Sequence, residues 1–383
     1  MKKVLILTYS DLNHDARVAR QISFLTGQYQ LTIACFDSPP HWAEEVIHIK
    51  RIRPSFFQKL ISSFFLLAGI FEAAYKVLYD FPGLRWQLQN RSFDLIIAND
   101  IESLPLAFKI KKNEKVLFDA HEFAPRHFED KLVWRIFFQR FNEYLCKHYL
   151  PLVDEMITVG TGLAKEYAVH YPVKPIVLTN ANYYTNLVPT SVDESKIRLI
   201  HHGAANPSRQ LEIMIDMMNF MEDRFTLDLM LLTPAIANKK TRSYLESLKQ
   251  LIKNNFKIKI VPPVNSSQVV DFIHQYDIGV FLLPPINFNY ANTLPNKLFD
   301  FIQARLAIAI GPTPEMANLV NTHQLGVVCE EFTAKSLAMK INSLSSEDIG
   351  RFKEHSHKVA HDLSAEKNKV ILNDLVTKLL MLN

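Results

Sequence analysis

The sequence predicts an α/β protein of two domains in series, each built on a parallel sheet. Three observations carry this prediction. Short apolar runs that read as buried strands alternate with amphipathic runs along most of the chain. Between residues 182 and 196 the alternation lapses into a stretch without clear period, including Pro189, Thr190 and Ser191, and then restarts. At 383 residues the chain is also long for a single core. Two such domains would leave a cleft between their strand ends.

Taken in order, Val4 to Thr8 is the first strand. Asp11 or Asn13 is expected to cap the next helix, whose apolar face includes Val18, Ile22 and Leu25, with Arg17 and Arg20 one turn apart. Leu31 to Phe36 is the second strand. Phe56 to Phe81 is the most apolar stretch, and Leu60 to Phe71 carries no charge. That is too short to span a bilayer. Flanked by Lys50, Arg51, Arg53 and Lys59, it suits a helix lying in a membrane interface as well as one buried against the sheet. Asp94 to Asn99 and Lys115 to Ala120 read as strands that deliver Asp100 and His121-Glu122 to their C-terminal ends. Leu132 to Leu150 is expected to be a helix covering the sheet. Met156 to Val159 and Ile176 to Leu178 complete the first domain. Beyond the linker, Arg198 to His202, Phe225 to Leu232, Ile258 to Val261, Ile278 to Leu283 and Leu306 to Ile310 are strands, and Asp348 to Leu382 is helical. The expected domains are 1–185 and 186–350, followed by a helical segment, 351–383.

Composition narrows the function classes. A hydrophobic content of 48% and a charged content of 21% fit a soluble globular protein. A net charge of +4 is compatible with an anionic ligand or a membrane surface and too weak to argue for nucleic acid. Cys35, Cys146 and Cys329 form neither a disulfide framework nor a CxxC zinc pattern, which points to a reducing compartment. The N-terminus reads as a strand rather than a signal peptide. The expected location is therefore cytoplasmic, peripheral on the inner face of a membrane. With 10 glycines and no P-loop, GxGxxG, GxSxG or EF-hand pattern, Walker-type ATP hydrolysis, dinucleotide redox chemistry and nucleophilic hydrolysis lack support. His357 and His361 are spaced i,i+4 but without HExxH, so a solvated helix face is expected and no metal site.

Two strand-to-helix corners carry the chemistry. In Thr293-Leu-Pro-Asn-Lys-Leu-Phe-Asp300, a loop leaves the end of the Ile278 to Leu283 strand and feeds a helix N-terminus, where unpaired N–H groups attract anions. Lys297 adds a cation and Asp300 shares its face, so phosphate and sugar hydroxyls would sit side by side. In Gly203 to Arg209, Gly203 permits close approach, Ser208 can cap the helix, and Arg209 offers a fork to phosphate oxygens. In the first domain, His121 at a strand end could bond a sugar hydroxyl or act as an acid or base. His201 and His202 alternate along a strand, so at most one faces the cleft.

Several stretches together resemble a family, the GT-B fold glycosyltransferases of the retaining family-four type, along nearly the whole chain. Asp15-Ala-Arg-Val-Ala-Arg20 resembles their D-x-R-V-x-R segment, and Asp94-Leu-Ile-Ile-Ala-Asn-Asp100 the strand often written D-V-V-H-A-H-D. Phe118-Asp-Ala-His-Glu122 is similar to their D-x-H-E corner, and Asn180-Ala181 to the pair that closes the first domain. His202-Gly203 through Arg209 resembles the phosphate turn, and Leu294-Pro-Asn-Lys-Leu-Phe-Asp300 resembles P-N-K-L-F-E, with Asp300 in place of the Glu.

The resemblance implies two Rossmann-like domains facing a cleft, with the C-terminal helix crossing back to the N-terminal domain. It implies a nucleotide-sugar donor, such as a UDP- or GDP-sugar, and transfer without a metal or other cofactor. His121 would contact the donor sugar. Arg209 and Lys297 would hold the diphosphate and stabilise the leaving group. Gly203, Ser208, Leu294, Asn296 and Asp300 would complete the donor site, with Asp300 on the ribose. Asp15, Arg17 and Glu122 would serve the acceptor, a sugar, glycan or lipid-linked molecule; the residues themselves, Arg17 and Arg20 with the Phe56 to Phe81 stretch, motivate an anionic or lipid-linked acceptor at a membrane surface. The expected function is sugar transfer with retention in cell-surface polysaccharide or glycoconjugate synthesis. Two alternatives stand beside it. One is a sugar-nucleotide epimerase of the same fold. The other is a non-catalytic GT-B subunit, which Asn292, where many relatives carry Glu, and the Ala204-Ala205 pair would favour.

Overall fold

The computed structural model describes residues 1–39, 45–51, 54–81, 83–232 and 239–381. Arg53 and Leu382 lie outside the described residues. The chain forms two compact units: Met1–Thr179 with Asn287–Asn289 and Asn368–Asn383, and Asn180–Ile286 with Tyr290–Lys367.

In the first unit, strands β1 (Lys3–Leu7), β2 (Gln30–Cys35), β3 (Glu45–His48), β4 (Leu95–Asn99), β5 (Lys115–Ala120), β6 (Glu155–Thr158) and β7 (Ile176–Val177) form a parallel sheet. Among the described residues its order is β3-β2-β1-β4-β5-β6-β7. In the second unit, β8 (Ile197–Ala204), β9 (Phe225–Leu232), β10 (Ile258–Val261), β11 (Ile278–Phe281), β12 (Ala307–Ile310) and β13 (Gly326–Val328) are parallel in the order β10-β9-β8-β11-β12-β13. Val4 to Leu7 and the whole of β12 are buried because helices cover both faces of a parallel sheet. Each order reverses once, between β1 and β4 and between β8 and β11. In open α/β sheets that switch point is where a crevice opens at the strands' C-terminal ends. The short strands β3 and β13 were not anticipated, since neither is long enough to show a period.

The stretch from 182 to 196, without period in the sequence, is firmly held. Arg305 is fully buried, and its guanidinium donates to the carbonyls of Thr185 and Leu187 at 2.6 and 3.2 Å. Arg305 Nε also donates to His357 Nδ1 at 3.1 Å, so His357 is engaged rather than solvated as expected. Lys353 Nζ bonds Thr190 Oγ1 at 2.7 Å and pairs with buried Asp277 at 3.3 Å. The Ala365–Met381 helix starts in the second unit, where the Ala365 N–H donates to the Asn182 carbonyl. From Asn368 onward it belongs to the first unit, anchored by Asn368 to Thr179 and by Lys378 to Glu155.

Two local expectations are corrected. Asp15, not Asp11 or Asn13, caps the Ala16–Leu25 helix, accepting the Val18 N–H at 3.1 Å. The Leu132 to Leu150 run covers the sheet only in its second half. Phe141, Leu145 and Cys146 are buried, whereas Leu132, Val133 and Ile136 face outward.

Candidate functional site

The second unit brings Gly203, Arg209, Lys297 and Asp300 together at its switch point. Lys297 and Asp300 stand in successive turns of the Asn296–Gln303 helix, which follows β11. That helix lies close over the sheet because Gly279 of β11 has no side chain; a Cβ there would stand 2.3 Å from the Phe301 ring. The helix begins after Pro295, a residue without a side-chain acceptor for its first N–H groups. Asn180 and Asn182 fix its approach. Asn180 Nδ2 donates to the Leu294 carbonyl at 3.2 Å, and Asn182 Nδ2 donates to Asp300 Oδ1 at 3.0 Å.

Gly203, one residue before the end of β8, holds φ at 131°, a conformation that L side chains rarely adopt. A Cβ built on it would stand 3.2 Å from Lys297 Nζ and 3.3 Å from Arg209 Nη1. The two cations therefore converge above one bare backbone position. Lys297 is buried. Its ammonium lies 3.9 Å from the centre of the Phe281 ring and 3.3 Å from His201 Nε2. Burial, then the neighbouring Arg209, push its pKa well below the usual lysine range, while Asp300 pulls the other way.

His201 and His202 belong to this assembly, which their alternation in sequence concealed: both reach residues of the same helix. His201 is fully buried. Its Nδ1 faces the Val280 carbonyl at 3.0 Å and so carries the proton, leaving Nε2 to accept from Lys297. Burial, then the Lys297 charge, hold this imidazole well below its ordinary pKa. His202 packs edge-on against Phe301, with Nε2 3.5 Å from Asp300 Oδ2. Its pKa is pushed down to about 3 by burial, then by Lys297 and Arg209. The ring is thus neutral near pH 7, and its contact with Asp300 is not an ion pair. Two buried neutral imidazoles beside two cations leave a locally electropositive corner suited to an oxyanion.

Ser208 does not cap the helix that follows. Asn206 takes the capping position of the short Pro207–Arg209 turn, accepting the Ser208 N–H at 3.1 Å. Ser208 Oγ instead meets the Tyr290 hydroxyl at 2.7 Å, which ties the Gly203 to Arg209 turn to the loop after β11. Tyr290 gave no signal in the sequence. Asn182 could have been noticed as the second Asn of Asn180-Ala-Asn182.

In the first unit His121 sits at the end of β5, beside the end of β4. Its Nε2 is 3.3 Å from Asn99 Oδ1 and its Nδ1 is 3.4 Å from Asp100 Oδ2. Asp100 holds φ at 61°, a strained value for a non-glycine residue. Behind the ring lies a buried network. Arg17 donates to both oxygens of Asp119 at 2.7–3.1 Å and to the Leu178 carbonyl at 2.7 Å. Gln21 donates to Asp119 and accepts from Asn99. Arg17, expected to serve an acceptor, is buried and engaged here, and Asp15 is engaged as a helix cap. Glu122 pairs with His127 at 2.7 Å. Burial works against the charged form of His127, but Glu122 outweighs it and the pKa rises. Glu102 nearby is pushed up to about 7 by burial, then by Asp100. Among the described residues no group of His, Cys, Asp and Glu is placed to hold a metal ion.

No protein-family model matches the chain, and no curated protein matches it in sequence. Solved structures do match in backbone. Sucrose-phosphate synthase from Thermosynechococcus elongatus aligns at 11% identity over 100% of both chains, with a TM-score of 0.73. HepE from Anabaena, solved in complex with UDP-glucose, aligns at 13% identity over 99% of this chain and 100% of that one, with a TM-score of 0.70. An α,α-trehalose-phosphate synthase (UDP-forming) from Burkholderia vietnamiensis aligns at 10% identity over 99% of both, with a TM-score of 0.67. At such identities the likeness speaks for the backbone, and it shows that this chain has the GT-B glycosyltransferase fold.

Proposed function

We propose that the protein is a glycosyltransferase that moves a hexose-type sugar from a nucleotide diphosphate donor to an acceptor, with retention. One observation carries the reading: Lys297 and Arg209 converge above Gly203 at the switch point of the second sheet, with Asp300 held by Asn182 one turn further on. Two fixed cations match a diphosphate, and a restrained carboxylate matches ribose hydroxyls. Catalysis is then positioning plus stabilisation of the departing diphosphate. Arg209, Lys297 and the N-terminus of the Asn296–Gln303 helix do the work that a divalent ion does elsewhere. Leu294, Asn296 and Ser208 complete the donor side. His121 is assigned to the donor sugar and Glu122 to the acceptor. Arg17 and Asp15 stand at that corner on the acceptor side, Arg17 bonded to Asp119 and Asp15 capping the Ala16–Leu25 helix. Solved relatives in fold hold UDP or UDP-glucose, which favours a uridine donor. The setting we infer is synthesis of a cell-surface polysaccharide or glycoconjugate.

A thermal-shift panel of UDP-, GDP-, ADP- and CMP-sugars tests the donor reading, because a ligand bound to the folded state raises the melting temperature by mass action. One nucleotide class is expected to stand out, and a flat response across the panel would sink the reading. Conversion of the donor to an epimer without acceptor would identify the epimerase instead. Binding without turnover would identify the non-catalytic subunit.

A further inference from the structure

We propose that the first unit docks on an anionic lipid bilayer through a face made of the Phe56–Ala68 helix and the adjoining Leu132–Trp134 and Arg135–Gln139 segments. This inference stands on the first unit alone and does not depend on the sugar-transfer reading. Phe56, Phe57, Leu60, Ile61, Phe64 and Leu67 are 45–76% exposed, although the helix is otherwise well built, with Ser55 and Gln58 forming a capping box and Gly69 closing its end. Only Ser62 and Leu66 of this helix are buried. The Arg135–Gln139 segment packs beside it, and Leu132, Val133 and Ile136 add a further 48–67% exposed apolar surface. Scattered exposed apolar side chains are ordinary, but a contiguous set on two packed helical segments marks a docking surface.

Charge chooses the occupant. The Phe56–Ala68 helix carries one charged residue, Lys59, and residues 131–141 carry Lys131, Arg135 and Arg140 with no acid. The acids that flank these segments are engaged, Glu72 with Tyr144 and Glu143 with Gln139. Glu129 pairs with Arg126 and accepts the Phe288 N–H, and Asp130 accepts from Asn287. A second copy of this face would bring basic residues against basic residues. An anionic bilayer instead takes the apolar side chains into its interfacial region while Lys59, Arg135 and Arg140 reach its headgroups. At 13 residues the helix is too short to cross, and among the described residues no helix is long and apolar enough to do so. It therefore lies in the interface plane.

The test is co-sedimentation of the full chain with vesicles of phosphatidylcholine, alone or mixed with phosphatidylglycerol. The protein is expected to pellet with the mixed vesicles and to be released by salt. Replacing Phe57, Leu60 and Phe64 together by serine should weaken binding roughly tenfold or more, since the lost apolar contact is made only in the membrane. The melting temperature should hold, because the three side chains are exposed. Lys59→Glu with Arg135→Glu should abolish the preference for phosphatidylglycerol. A Phe64→Trp variant should be quenched by brominated acyl chains. Failure to pellet with either vesicle, or unchanged binding by the serine variant, would overturn the proposal. So would a dimer in sedimentation velocity that the serine variant alone dissolves, because the face would then belong to a second copy.

Discussion

Replacing Lys297 by methionine separates binding from folding with opposite signs. The ammonium is buried against a neutral imidazole and an aromatic ring, next to Arg209. Removing it relieves a desolvation cost and a like-charge contact, so the unliganded variant should melt no lower than the parent. Ligand binding should suffer. A charge-assisted hydrogen bond to a phosphate oxygen contributes about 1.5–3 kcal/mol, or roughly 10- to 150-fold in Kd. With nucleoside diphosphate at about 100 times its Kd, the parent gains about 2.7 kcal/mol. For domains of this size that is a shift of roughly 5–10 °C. A variant about 100-fold weaker, at the same concentration, gains only about 0.4 kcal/mol, or about 1 °C. Thermal shift and titration calorimetry read both quantities. A variant that binds the diphosphate as tightly as the parent would refute the reasoning, as would one whose unliganded form melts several degrees lower.

Further outcomes follow from the same geometry. Gly203→Ala places a methyl 3.2 Å from Lys297 Nζ at a φ of 131°, so calorimetry should show diphosphate affinity falling by about tenfold or more through displacement of both cations. Arg17→Met leaves Asp119 buried without its guanidinium partner, and urea unfolding should register a loss of about 3–5 kcal/mol. His202 has its folded pKa pushed down to about 3. The unfolded chain therefore takes up a proton that the fold refuses, and the stability linked to this ring is complete above about pH 6.5 and lost as pH falls toward 3. At pH 5.5 that loss is about 1.4 kcal/mol. His202→Gln should be correspondingly less sensitive to acid between pH 7.5 and 5.5 in urea titrations.

Much of the scaffold could be read from the chain because parallel strands covered on both faces are continuous apolar runs; β1, β4, β5, β8, β11 and β12 all announce themselves in this way. The edge strands β3 and β13 do not, being short and partly exposed. Within the candidate site, Lys297, Arg209 and Gly203 were legible as residues of two strand-to-helix corners with the right chemistry. His201 was not, because alternation along a strand assigns it a face, whereas its bond to Lys297 depends on where the following helix lands. That landing is set by Gly279 under Phe301 and by Asn180 and Asn182, contacts at a sequence distance no local pattern encodes. The engagement of Arg17 was hidden for the same reason. A basic residue at a strand end looks available for an acceptor until its buried partner, Asp119, comes from 102 residues away. The apolar helix from Phe56 was undecidable between burial and a membrane interface, because composition alone does not say which side a helix turns outward.

The account rests on sugar leaving a nucleoside diphosphate with its configuration kept. The most direct measurement is proton NMR of the purified protein with the nucleotide sugar that raises its melting temperature, following the anomeric signal of the first sugar product. The account predicts release of nucleoside diphosphate together with sugar in the donor's own anomeric configuration, lost in Lys297→Met. Inverted sugar, or a donor that stays intact while bound, would contradict it.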